Sequence, residues 1–275
     1  MKHYPKVTVV TVCYNCCDVI EQTMCNVLKQ TYRNMEYIVI DGGSTDGTRD
    51  TVARYANRLA YWVSEPDRGI YDAMNKGICA ASGEWIIFRN AGDYFFKPTT
   101  IADVFEWYDD RGEALIVGGM RSFGEEGFCD RYYNCMHDDV WSRAFVPHPS
   151  VFVRMTVQKA NPFQVSYRIS GDYCFFQKLM LEGVAVALYS GIVSLFDCEG
   201  GISSCRLSLC WREILAIRRQ LGAPNAVVWA TRKRLLCAMI AEMLAGVLKK
   251  AGLRSKSNKP AGWTLQPLEL TLKDI

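Results

Sequence analysis

Four short apolar runs, each ending in a polar loop that carries glycine, a carboxylate or both, restrict this chain to a small set of folds. Val7 to Val12 is β-branched throughout, the composition of a central strand covered on both faces. Tyr37 to Ile40, Ala60 to Val63 and Trp85 to Phe88 are the next three runs. Between them, Ile20, Met24, Val27 and Leu28 fall at helical spacing behind Asp18, with Glu21 three residues later as a capping pair, and a second helix is expected from about Ile70 to Ala81. Strands alternating with helices predict a parallel sheet with right-handed crossovers. Such sheets bind ligands at the carboxyl ends of their strands, so the loops hold the candidate site.

The loops differ in what they offer. The first run stops at Cys13-Tyr14-Asn15. The second ends in Asp41-Gly42-Gly43-Ser44-Thr45-Asp46-Gly47-Thr48, which sets Asp41 at a strand end and uses Ser44 and Asp46 to turn and cap the next helix. After the third come Glu65-Pro66-Asp67-Arg68-Gly69 and a helix with Asp72, Asn75 and Lys76 in its first turns, where free backbone N–H groups favour a phosphate. The fourth run delivers the carboxylate of Asp93 through Arg89-Asn90-Ala91-Gly92.

Farther on, Pro98 is placed to start a helix running to about Asp110, and Ala114 to Val117 reads as a strand. From Gly118 to Asn161 the alternation is lost, which predicts short mixed strands, with Val151 to Val153 among them. A helix is expected from near Asp172, a strand from Val184 to Tyr189, and a basic helix through Arg219.

The charge of +3 hides an asymmetry, because twelve Lys and Arg between Arg206 and Lys259 face only Glu213 and Glu242. An anionic surface is the partner this pattern suits. Leu235 to Leu248 carries one charge, Glu242, and is shorter than the roughly 20 residues needed to span a bilayer. Leu236, Ile240, Met243, Leu244 and Val247 form a stripe flanked by Arg232, Lys233, Arg234, Lys249 and Lys250. Two readings stand: an interfacial helix on anionic lipid, or an amphipathic helix packed on the domain. The twelve cysteines, with no signal peptide ahead of them, fit a reducing cytoplasmic compartment. Cys13 and Cys16 have redox-motif spacing, but small buried hydrophobes are the simpler reading.

Taken together, Thr11-Val12-Cys13-Tyr14-Asn15, Asp41 to Thr48, Glu65 to Gly77 and Asn90-Ala91-Gly92-Asp93 resemble the family 2 glycosyltransferases, inverting enzymes of the GT-A fold, and among them the bacterial exopolysaccharide, colanic-acid and O-antigen type. The resemblance continues more weakly through His148 and Asp172 to Gly200-Gly201-Ile202-Ser203. It implies an α/β GT-A fold, a Rossmann-like, mostly parallel sheet flanked by helices. The glycosyltransferase domain would span 1–205, with a nucleotide-sugar-binding half (1–97) and an acceptor half (98–205). A basic amphipathic helical extension (206–258) and a tail (259–275) would follow.

The same resemblance implies roles. Thr11, Tyr14, Asn15 and Asp41 would bind base and ribose, and Asp67, Arg68, Asn75, Lys76, Asn90 and Ala91 would complete the donor site. Asp93 would hold a divalent cation, Mg²⁺ or Mn²⁺, beneath the diphosphate. The family's Asp-x-Asp is reduced here to Asn90-Ala91-Gly92-Asp93, and Met74 stands where relatives have arginine. His148 is a candidate metal or phosphate contact, with a structural histidine as the alternative. Asp172 would be the general base, with a helix-capping carboxylate as the alternative. The implied activity is non-processive transfer of one sugar from a UDP-, GDP- or dTDP-linked donor to a saccharide acceptor, lipid-linked at the cytoplasmic face of a membrane. Nucleic acid is not among the implied partners. A noncatalytic nucleotide-sugar binder of the same fold is the competing reading.

Overall fold

A computed structural model defines residues 2–124, 127–133, 140–141, 146–197 and 206–250. The β-branched run becomes β1 (Val7–Cys13), buried along its length and paired in parallel with β2 (Met35–Asp41) on one side and β4 (Trp85–Phe88) on the other. β3 (Tyr61–Ser64) continues the parallel sheet beyond β2. The order β3-β2-β1-β4 reverses at β1, so the loops leaving β1 and β4 diverge and open a crevice between them.

Period-two alternation sorts the strand side chains into two apolar layers. Val7, Val9, Tyr37, Val39, Trp85 and Ile87 pack under α1 (Cys17–Leu28), α2 (Thr48–Arg54) and α4 (Thr100–Trp107). Val10, Val12, Ile38, Ile40, Ile86 and Phe88 pack against α3 (Ile70–Ala80), α5 (Met155–Ala160) and α6 (Gly171–Leu181). The opposite edge of the sheet is tied by Glu36, whose buried carboxylate accepts from Thr8, Ser82 and Gly83 and pairs with Lys6 at 2.6 Å.

Past β4 the sheet becomes mixed. β8 (Val151–Arg154) runs antiparallel to β4 and to β6 (Leu115–Gly124), β9 (Val186–Asp197) runs parallel to β6, and β5 (Tyr94–Phe95) closes the far edge antiparallel to β9. β7 (Gly127–Arg131) folds back on the outer half of β6. Because β4 meets β8 and β5 meets β9, one sheet runs without a break from the expected nucleotide half into the expected acceptor half.

Several boundaries move from their sequence-based positions. β9 outruns the expected Val184 to Tyr189, since Ser190 and Gly191 interrupt the apolar pattern without ending the strand. α1 starts at Cys17 with no side-chain cap, so Asp18 lies in its first turn, and Glu21 pairs with Arg54 at 3.3 Å and accepts from Tyr55 instead of closing a capping box. α4 begins two residues after Pro98 and ends at Trp107.

The basic region forms α7 (Leu207–Gln220) and α8 (Asn225–Lys250). Ile214 and Ile217 of α7 dock on Tyr173 and Cys174 of α6. Among the described residues no helix is long and apolar enough to cross a membrane. The Gly200-Gly201-Ile202-Ser203 motif and the tail from 259 lie outside the described residues.

Candidate active site

The floor of the crevice is made by tying the β1 and β2 loops together. Asn15 donates its backbone N–H to Ser44 Oγ (2.7 Å) and accepts from Thr45 N–H on its side-chain oxygen (2.9 Å). Cys16 N–H donates to Thr48 Oγ1 (2.9 Å) and Cys17 N–H to Asp46 (3.0 Å), while Asp46 also accepts from the N–H and hydroxyl of Thr48 at the start of α2. These contacts bear out Ser44 and Asp46 as turn and cap residues and give Asn15 the same work. Its φ of 45° is the one positive value on a non-glycine residue among the described residues, and the two-way bond to the β2 loop holds it there.

Two of the donor-site candidates are buried in this floor. Thr11 is fully buried with its hydroxyl hydrogen-bonded to Tyr37 (2.8 Å), because residue 11 shares the face of Val9 and Tyr37 beneath the helices rather than facing the crevice. Asp41 is also fully buried, its carboxylate receiving both the hydroxyl and the N–H of Ser44 and the hydroxyl of Ser64. Its carboxylate thereby organises the β2 loop. Tyr14 is different. Its ring is 64% exposed above this floor. A Cβ on Gly42 would overlap the Asp67 carboxylate and come within 3.3 Å of the Tyr14 ring, so that glycine brings Tyr14 and Asp67 together.

Along α3, Asp67 accepts from Gly69 N–H (2.8 Å) and shapes the turn into the helix. Arg68 is exposed and pairs with Asp72 at 2.9 Å; Lys76 pairs with Glu65 at 2.8 Å and reaches the Pro66 carbonyl. The Asn75 amide donates to Phe163 O (2.8 Å) and accepts from Phe163 N–H (2.9 Å), a two-point clamp that fixes its orientation at the start of α3. Arg168, which the sequence reading left unassigned, lies beside the α3 entrance, its guanidinium 3.4 Å from the Arg68 carbonyl.

The β4 loop is built the opposite way. Arg89 is fully buried, stacked over Phe95 at 3.8 Å and donating to the Pro149 carbonyl, yet its Nε and Nη2 have no partner. Burial pushes its pKa down to about 9, against the opposing pull of Asp93. Burial likewise pushes Asp93 up to about 7, although Arg89 and the Asn90 N–H (3.2 Å) favour its charged form. The side-chain oxygen of Asn90 is buried without a partner. Ala91 donates its N–H to Val12 O, holding the loop against β1.

Across the crevice, Asp172 stands in the first turn of α6, its side chain 16% exposed. The Tyr71 hydroxyl lies 3.0 Å from one of its oxygens and 2.6 Å from the Ile169 carbonyl. His148 Nδ1 faces the other oxygen at 3.9 Å. Gly171 is needed here, since a Cβ would sit 2.7 Å from the Tyr71 ring. Burial raises the Tyr71 pKa well above its ordinary value, with the Asp172 charge adding to it. His148 is packed against Phe88, Phe163 and Phe176, and burial lowers its pKa, so it stays neutral. Its Nδ1 faces Asp172 and its Nε2 is buried without a partner. The sequence missed Tyr71; the one signal was the glycine preceding Asp172.

Among the described residues no three His, Cys, Asp or Glu side chains gather as a metal cluster. Asp93 with the orphaned oxygen of Asn90 nevertheless supplies two hard donors on one loop. They fit Mg²⁺ or Mn²⁺ when phosphate oxygens and water complete the shell.

The family model for "Glycosyl transferase family 2" matches residues 8–180, more than half of the chain. The chain is a family 2 glycosyltransferase. An uncharacterized glycosyltransferase of Mycobacterium tuberculosis is 32% identical over 205 residues, 73% of this chain and 78% of that protein. A PGL/p-HBAD biosynthesis glycosyltransferase of Mycobacterium bovis is 26% identical over 83% of this chain and 91% of its own. Among solved structures, a mannosyltransferase from Pyrobaculum calidifontis in complex with GDP-Man and Mn²⁺ shares the fold with a TM-score of 0.64 at 20% identity, covering 89% of this chain and 76% of that one. This glycosyltransferase therefore carries its family's fold, with Asp93 on the loop after β4 and Asp172 in contact with Tyr71 of α3.

Proposed function

We propose that this glycosyltransferase moves one sugar, with inversion and without processive elongation, from a nucleotide sugar to a saccharide acceptor in cell-surface glycan synthesis. The observation that carries the reading is the hold on Asp172: a partly exposed carboxylate fixed by the Tyr71 hydroxyl on one oxygen and faced by His148 on the other. A general base needs that combination of access and fixed direction.

The nucleoside stacks on Tyr14 over the tied β1 and β2 loops, and the diphosphate lies between the β4 loop and the start of α3. There the helix N–H groups, Arg68 and Arg168 meet its charge. Asp172 takes the proton from an acceptor hydroxyl as that oxygen bonds to the anomeric carbon. The bond to the diphosphate oxygen breaks on the opposite face, and the nucleoside diphosphate leaves with the electron pair. A divalent cation held by Asp93 and Asn90 would supply charge neutralisation for the diphosphate. The Mn²⁺ complex of the Pyrobaculum neighbour supports that donor chemistry. The name of the Mycobacterium bovis relative, a PGL/p-HBAD biosynthesis glycosyltransferase, supports a place in glycan biosynthesis; a lipid-linked acceptor and a peripheral place on the cytoplasmic membrane face complete the reading, for which the basic last helices are the motive.

Asp172→Asn tests the assignment. Transfer and donor hydrolysis should fall by at least about 10²-fold, while nucleotide-sugar binding, followed by thermal shift, stays within a few-fold of wild type. Unchanged turnover would remove Asp172 as the base. Nucleotide-sugar binding by wild type without any turnover would favour the noncatalytic binder.

A further inference from the structure

We infer that the outer face of α8 is a docking surface for an anionic lipid bilayer. The inference rests on the peripheral-membrane reading above and assigns it to particular residues. The stripe that packs on the protein is not the one holding Leu236, Ile240, Met243 and Leu244. Thr231 and Ala238 are buried and Leu235 is half-buried, Thr231 accepts from Arg218 (2.7 Å), and Glu242 accepts from Ser208 N–H (2.9 Å) at the start of α7. These positions recur at three- and four-residue spacing, so they form the stripe that packs on the protein.

The opposite side is apolar as well. Trp229, Leu236, Met239, Ile240, Met243 and Leu244 are all between 44 and 62% exposed. At about 100° per residue they occupy one continuous arc facing away from Thr231, Leu235 and Ala238. An exposed patch of six large apolar side chains on a single helix is larger than scattered surface hydrophobes explain. Arg232 and Lys233 lie on the same arc between Trp229 and Leu236, and Lys233 Nζ sits over the Trp229 ring, 3.5 Å from its centroid. A cation–aromatic pair at one end of an apolar arc suits the boundary between headgroups and acyl chains.

Charge selects the occupant. From Arg206 to Lys250 there are nine Lys and Arg against two glutamates. Both glutamates have backbone partners: Glu213 is buried under the N–H groups of Arg168, Ile169 and Ser170, and the exposed Glu242 holds Ser208 N–H. Among the described residues no ion pair forms on Arg232, Lys233 or Arg234. A second copy docking through the same face would bring like-charged rims together, whereas anionic headgroups match them.

Co-sedimentation of the full chain with vesicles of phosphatidylcholine, with and without phosphatidylglycerol, tests this. Wild type should pellet with the anionic vesicles and be released by salt. The double substitution Ile240→Glu with Met243→Glu should cut partitioning by at least about tenfold, and Arg232→Glu with Lys233→Glu should act in the same direction. Both variants should keep wild-type thermal midpoints and donor turnover with a water-soluble acceptor, which separates this result from failure of the catalytic reading; Asp172→Asn should pellet like wild type. Equal partitioning of wild type and the Ile240/Met243 variant, or no vesicle binding by wild type, overturns the proposal. So does wild type that is dimeric in solution while the Ile240/Met243 variant is monomeric.

Discussion

Two buried carboxylates at opposite edges of the same parallel sheet are in opposite states. Glu36, at the amino-terminal edge, collects N–H and hydroxyl donors from Thr8, Ser82 and Gly83 and the ammonium of Lys6. Burial alone would raise its pKa, but Lys6, Ser82 and Thr8 together bring it down to about 2. Asp93, at the carboxyl-terminal edge, has the N–H of Asn90 and a poorly satisfied Arg89 nearby, and burial wins, raising it to about 7. The first edge is finished as folded. The second keeps unspent polar capacity in Asp93, Asn90 and Arg89, which a diphosphate with its cation would use. Stability and function are thus segregated to the two ends of one sheet, as open α/β folds permit.

The largest effect should come from Asp93→Asn. Transfer should fall by about 10² to 10³-fold while the thermal midpoint of the ligand-free protein holds or rises, since a costly buried acid is removed. A large loss of stability with full activity would break the comparison. Glu36→Ala should do the reverse, lowering stability by about 3–5 kcal/mol in urea unfolding while kcat of the folded fraction is unchanged.

The pH dependence sharpens the contrast because the signs differ. Glu36, depressed from 4.5 to about 2, contributes stability that is present above 4.5 and is lost as pH falls toward 2. Asp93, raised from 3.8 to about 7, contributes stability that is full below 3.8 and is lost as pH rises through 7. Thermal midpoints measured across pH should lose their acid limb in Glu36→Gln and flatten between about pH 4 and 7 in Asp93→Asn. Donor binding with Mn²⁺ should tighten as pH rises through about 7, since the ligating form of Asp93 is the carboxylate. The smallest effect belongs to the floor: Tyr14→Ala should raise the donor KM by about tenfold, the worth of one base–aromatic stack, with kcat little changed.

Legibility was uneven in a way that specific residues explain. Ser44 and Asp46 were readable as turn and cap residues because those roles are local, settled within a few positions of chain. For Thr11, Asp41 and Asn75 the donor role comes from resemblance alone, and their hydrogen-bond partners Tyr37, Ser64 and Phe163, 26, 23 and 88 residues away, are beyond the reach of local pattern. For Thr11 the alternation itself held the answer, since it shares parity with Val9. Tyr71 sits in an α3 sequence that gives no hint of Asp172, 101 positions later.

The sequence by itself determined the strand and helix alternation, the loops that form the crevice, the family and the basic character of the last helices, because apolar periodicity, turn chemistry and charge are local or additive. Tertiary structure alone decided how the polar side chains divide between the scaffold and the strand-end loops, and which side of α8 packs on the protein and which stays exposed. Each of those depends on which distant donor, carboxylate or helix stands opposite, and pairing across the fold is set by packing rather than by neighbours in the chain.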